Sequence, residues 1–231
     1  MTIRNLSAIA LFIVVPLAGC ATQVQVPVPM ANEAIKADSG RIGVAMTALP
    51  KVDTSFPGAG CLLCIGVASL AHTQLTKATQ ALPLEDLPML KELVAERLRK
   101  RGAQAIVINE PLDIDQLESN PQSGPNLSAK DFRPLAKKLG VDRLVVIQIT
   151  EIGISRSYAA YIPTADPKAI VKGFGFMINL GDNKYDWHMT ADNQRAADGT
   201  WDEPPKYPGL SNAYFQVLEM SKDRFLGPFS N

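Results

Sequence analysis

The run Leu144–Ile152 decides most of what this chain can fold into. Val145, Ile147 and Ile149 alternate with Leu144, Val146, Gln148 and Thr150, so the first half of the run is apolar at both alternations. A strand with apolar side chains on both faces needs cover on both, which places it at the centre of a sheet flanked by helices. Three segments have the helical period to supply that cover. Leu90, Leu93, Val94 and Leu98 form one stripe, with Glu85 and Asp86 at its start, Pro88 in its first turn and Gly102 as its stop. A second helix opens at Ser128-Ala129-Lys130-Asp131, turns Phe132, Leu135, Ala136 and Leu139 inward, and ends at Gly140. A third spans about Ser211–Leu226 and buries Tyr214, Val217, Leu218, Ser221 and Phe225.

Further strands are expected at Arg41–Thr47 and Gln104–Asn109. A hairpin of Ala169–Gly181 and Lys184–Asp192 closes on Gly181-Asp182-Asn183. Along its second strand, simple alternation puts Tyr185, Trp187 and Met189 on one face and Asp186, His188 and Thr190 on the other. The order is β-α-β-α-β-β-β-α. Helix-linked strands give a parallel part and the hairpins an antiparallel part, hence a single mixed-sheet α/β sandwich over residues 41–231.

The N-terminus carries a different signal. Arg4 is followed by an apolar run from Leu6 to Val15 and then small residues, the order of a secretory signal. The run, about eleven residues, is shorter than the roughly twenty a membrane span needs. Leu17-Ala18-Gly19-Cys20 resembles the lipobox of bacterial lipoproteins. The resemblance implies that residues 1–19 are removed, that Cys20 becomes the acylated N-terminus, and that Ala21 directs the protein to the outer membrane. Residues 20–40, with Val24-Gln25-Val26-Pro27-Val28-Pro29, read as an extended tether holding the domain in the periplasm.

The 23 basic and 23 acidic residues cancel, and no basic face of the kind nucleic acid requires is visible. With Cys20 acylated, Cys61 and Cys64 remain as an even pair in an oxidising compartment, where a structural disulfide is expected. Their C-x-x-C spacing also occurs in thioredoxin-like redox sites, and a zinc pair would need two further ligands from a chain with only His72 and His188. The cysteines lie in an insertion at about 55–82. Its middle, Gly58–Ala71, is apolar, rich in small residues and too short to span. A buried insertion stapled by its disulfide is the expectation, with contact to a membrane or a partner as the alternatives.

Signatures of chemistry are sparse. The chain has no G-x-S-x-G, P-loop, G-x-G-x-x-G or H-E-x-x-H pattern, and Gly173-Phe174-Gly175-Phe176 lies inside a strand. Asp186 shares a face with His188 by alternation and would be the one carboxylate near enough to work with it. His72 is expected to cap a helix or face solvent. The segment Trp201–Pro208 is proline-restricted, so Trp201 and Tyr207, framed by Pro204 and Pro205, are candidate partner-binding residues; the alternative is that both aromatics pack on their own domain.

In element order, lipobox and the run Leu139-Gly140-Val141-Asp142-Arg143-Leu144-Val145-Val146-Ile147, the chain resembles a periplasmic group. Its members include the N-terminal domain of TolB, the penicillin-binding-protein activator LpoB and the curli-secretion lipoprotein CsgG. The resemblance implies action through protein partners or assembly; with the missing catalytic motifs, the expectation is a non-enzymatic envelope protein without cofactor or metal, held to the membrane through Cys20. It would act on unidentified envelope proteins or by self-assembly. The competing expectation is a periplasmic thiol-disulfide protein using Cys61 and Cys64.

Overall fold

The computed structural model describes residues 25–230, so the expected signal peptide and Cys20 lie outside the described residues. Strands β1 (Arg41–Met46), β2 (Asp53–Ser55), β3 (Gln104–Val107), β4 (Arg143–Ser155), β7 (Lys168–Asn179) and β8 (Lys184–Ala196) make one mixed sheet. Its order is β3-β1-β4-β7-β8, with β2 also pairing on β4. Strand β4 is long enough to take two parallel partners end to end on one edge. Arg143–Ile147 pairs with β1, and Gly153–Ser155 with β2. Its other edge runs antiparallel to β7, which continues antiparallel to β8. The fold is thus the expected mixed-sheet α/β domain, with Leu144–Ile152 at its centre.

Alternation along β4 feeds two cores. Val145, Ile147 and Ile149 face α3 (Leu90–Lys100) and α5 (Pro208–Leu226), where Leu98, Tyr214, Val217 and Phe225 are fully enclosed. Leu144 and Val146 face the smaller layer built by α4 (Pro134–Leu139), Phe132 and the loop around Leu112–Leu117. Two antiparallel dipeptides, β5 (Tyr158–Ala159) and β6 (Ile162–Pro163), make a small hairpin after β4. The insertion folds into α1 (Leu62–Ala71) and α2 (Thr73–Gln80).

Three local departures from the sequence expectations have tertiary causes. The second helix begins at Pro134, not Ser128, because the fully buried Asn183 claims the intervening backbone: its Oδ1 accepts from Phe132 N–H (2.9 Å) and its amide donates to the Lys130 carbonyl (2.9 Å). Tyr185 lies on the α4 face with Phe176, while Trp187 and Met189 lie in the α5 core. A bulge makes Met177 pair with Trp187 and Ile178 with Tyr185, and the extra residue reverses the alternation there.

The tether is the third. Extended chain is expected over 20–40, yet Val28 adds to the open edge of β8: its N–H donates to the His188 carbonyl (2.9 Å) and its carbonyl accepts from His188 N–H (3.0 Å). Ala34 and Ile35, in a short 3-10 turn, are buried in the main core. The domain therefore captures most of its own leash and protects an edge strand with it.

Candidate functional site

Helix α1 breaks the usual relation between hydropathy and burial. Its sequence, Leu-Leu-Cys-Ile-Gly-Val-Ala-Ser-Leu-Ala, has no charged residue, yet only Cys64 and Ala68 are buried. Leu62 is 91% exposed, Leu70 79% and Leu63 77%, and Ile65 and Val67 are also open to solvent. This corrects the expectation of a buried insertion. The sheet has no room for α1, because α2 already covers β2 and buries Leu75 in the main core. What holds α1 is a separate small cluster of Ala59, Cys64, Ala68 and Tyr158 with Phe56 against it. A groove of about 520 Å³ separates α1 from β2; Phe56 and Ile65 line it together with the polar Thr54, Ser69 and Thr76 and the charged Asp53 and Lys77.

The ends of α1 are fastened more firmly than its flanks. At its N-terminus Cys61 and Cys64 form a disulfide, and Cys61 Sγ accepts from Cys64 N–H (2.9 Å) as the cap. At its C-terminus His72 is both the last cap of α1 and the first of α2. Its Nε2 lies 2.8 Å from Tyr158 Oη and receives an N–H from Arg156 at 3.0 Å. A guanidinium has donors only, so Nε2 is the accepting nitrogen and His72 is the neutral, Nδ1-protonated tautomer. Phe56 stacks on the imidazole at 5.6 Å between centroids, and Arg156 lies over the Trp201 ring at 4.7 Å.

Burial lowers the His72 pKa below its ordinary value, and the Arg156 charge lowers it further against an opposing pull from Asp202. Burial lowers His188 in the same sense. A histidine depressed in the folded state binds its proton more readily when unfolded. Its stabilisation is therefore complete above the unfolded value of about 6.5 and is lost as pH falls through the folded value. Denaturant unfolding should show a lower midpoint at pH 5.5 than at pH 7.5, and His72→Gln should flatten part of that dependence.

Of the two readings of the Trp201–Pro208 segment, the structure matches the one in which both aromatics pack on their own domain. Tyr207 is buried in the main core and Trp201 packs half-buried against it, near His72. Pro204 and Pro205 are exposed between them.

His188 also differs from its expected setting. The Asp186 carboxylate is bound by Arg143 at 2.8 Å and is not engaged with the imidazole. Rings of Phe174, Phe176 and Tyr185 surround His188, and its buried Nδ1 has no hydrogen-bond partner among the described residues. Among the described residues no group of three His, Cys, Asp or Glu gathers in a metal-binding arrangement. No helix among them is long and apolar enough to cross a membrane.

The sequence reading singled out the apolar insertion but missed its exposure. It also missed the short hairpin at its side, where Tyr161 is 65% exposed and Ile162 is also open. That hairpin is tied to the entry of α1 through Tyr158 N–H to the Pro57 carbonyl (2.8 Å) and Ala160 N–H to the Gly58 carbonyl (3.2 Å). Two uncharged stretches, 54–76 and 157–165, thus meet at one end of the molecule.

No family model and no curated protein matches the chain. Among solved structures it is similar to a DUF330-family protein from Xanthomonas campestris, at 13% identity over 88% of this chain and 91% of that one, with a TM-score of 0.40. It is also similar to the PelC dodecamer from Paraburkholderia phytofirmans, at 9% identity over 88% and 94% of the chains, TM-score 0.37. A third is lipoprotein GNA1162 from Neisseria meningitidis, at 14% identity over 78% and 98%, TM-score 0.28. Likenesses this distant carry no argument about what the chain does.

Proposed function

We propose that this is a lipid-anchored protein of the bacterial outer membrane that works by contact and assembly in the periplasm, not by catalysis. One observation carries the reading: a charge-free helix is presented outward on a purpose-built foot, with Leu62, Leu63 and Leu70 left for something else to cover. Exposed apolar patches of this kind mark interaction surfaces. The lipobox at Leu17–Cys20 and the resemblance to the TolB, LpoB and CsgG group support an envelope setting, in which the body meets envelope proteins or further copies of itself. The test is photo-crosslinking from residue 63 of the acylated chain in cells, with palmitate labelling lost in Cys20→Ser as the check on the anchor.

A redox reading is favoured by the exposure of Cys61, whose C-x-x-C disulfide with Cys64 sits at the N-terminus of α1. The paired replacement of Cys61 and Cys64 by serine separates the two. Contact through α1 keeps its crosslinks, whereas a redox role disappears with the thiols.

A further inference from the structure

We infer that the occupant of the α1 ridge is the lipid surface itself, entered to interfacial depth as a second foot beside the acyl anchor. The inference rests on the envelope reading above. Three observations select lipid over a protein partner or a second copy.

The first is chemical. From Thr54 to Thr76 there is no Asp, Glu, Lys or Arg, and the neighbouring hairpin is uncharged from Ser157 to Ala165. Protein interfaces keep a polar rim with roughly one hydrogen bond per 100–200 Å². On the α1 helix the single polar side chain besides the cysteine pair is Ser69. A helix suits hydrocarbon because its backbone groups bond to one another, and the cap from Cys64 N–H to Cys61 Sγ removes a further donor from the leading turn.

The second is shape. The outer side of α1 is open: a Cβ built on Gly60 or Gly66 would meet nothing within 4 Å. Interfacial helices ordinarily carry their own polar face. Here the protein body replaces that face through Ala59, Cys64, Ala68 and Tyr158, and the rest of α1 can be apolar. Tyr161 and Ile162 extend the patch sideways, and tyrosine is favoured at the level of lipid headgroups.

The third is the leash. Because Val28 is pinned to β8, Cys20 stands only eight residues from the docked body, at most about 27 Å of extended chain. An acylated Cys20 therefore keeps the body within its own dimensions of the bilayer, where an exposed apolar ridge meets lipid at high local concentration.

The experiment uses the unacylated mature chain carrying Cys20→Ser, mixed with vesicles of phosphatidylethanolamine and phosphatidylglycerol and floated on a density gradient. The expected result is co-flotation, reduced by about tenfold or more in Leu62→Asp/Leu63→Asp/Leu70→Asp. That variant alters exposed side chains, so its circular dichroism should match the parent. Failure of the parent to float, or equal flotation of parent and variant, overturns the inference. So does concentration-dependent self-association of the parent that the three aspartates abolish without any lipid binding, which would assign the ridge to a second copy. Since Cys20 is replaced throughout, none of these outcomes depends on acylation, which palmitate labelling of the natural chain reports separately.

Discussion

Gly153→Val is expected to cost the fold about 3 kcal/mol or more and to release the whole α1–α2 arm from the sheet. Gly153 has φ +142°, a conformation that side chains rarely adopt, and a Cβ there would overlap the backbone carbonyl of Asp53. That carbonyl belongs to β2, which pairs with β4 at this point and supports the arm. Thr54 Oγ1 meets Thr76 Oγ1 at 2.6 Å, and Gln80 Nε2 donates to Asp53 Oδ1 at 3.0 Å. Displacing β2 therefore loses both the strand and the contacts that seat α2. Urea unfolding should show the lower midpoint, and limited proteolysis should cut between residues 51 and 60 well before the rest of the chain. A variant with parental stability and an intact arm would contradict this account of how the ridge is held.

The second large effect is expected at Asn183→Ala, about 3 kcal/mol. Asn183 is fully buried with φ +61° in the β7–β8 turn, a conformation asparagine tolerates better than alanine. Its side chain takes the Phe132 N–H and satisfies the Lys130 carbonyl, with a longer bond to the Ser128 carbonyl at 3.4 Å. Alanine would leave the Phe132 N–H and the Lys130 carbonyl without their partners (the Ser128 carbonyl keeps Asn120 Nδ2 at 2.9 Å) and would loosen Phe132, which plugs the smaller core. Thermal or urea unfolding measures the loss. Asn183→Asp retains the acceptor for Phe132 but not the donors, so it should fall between the parent and the alanine variant if its carboxyl is neutral, and below alanine once it is charged.

These two positions also show where reading the sequence succeeds and fails. The central strand, α3 and α5 were legible because their apolar spacing is local, and Gly102 gives α3 a chemical stop; α5 nevertheless starts at Pro208, three residues before the expected Ser211. The entry to α4 was not, because the residue that prevents helix over 128–133 is Asn183, about fifty positions away in sequence. Alternation gave the wrong face for Tyr185 because one bulged residue leaves no mark in composition. Strands as short as β2, β5 and β6 exist only through their partners. The exposure of α1 was the most consequential miss. A helix apolar all round is expected inside a core or against lipid, and hydropathy alone does not separate the two. Only the packing shows that the core is already full without it.

Hydrophobic burial sets the scale of what is at stake on the ridge. Covering a leucine side chain is worth about 1.5–3 kcal/mol. Leaving Leu62, Leu63 and Leu70 in water is thus a standing cost that an isolated periplasmic domain would gain nothing by carrying. The His72 contacts with Tyr158 and Arg156 and the close backbone approaches at Gly58 and Gly153 seat α1 on the body, while the disulfide closes only the first turn of the helix.

The most direct measurement is photo-crosslinking in intact cells with a diazirine side chain at position 63 of the otherwise natural, acylated chain. Adducts are expected from position 63 and none from a control position on the polar face of α3 such as Glu96; a lipid-sized mass increment supports the lipid inference, whereas a discrete protein band or a crosslinked dimer of the chain supports the contact reading and overturns that inference. Absence of any adduct at position 63, whether to lipid, to another protein or to a second copy, under conditions where the probe is intact, would contradict the claim that α1 is the surface through which this protein works.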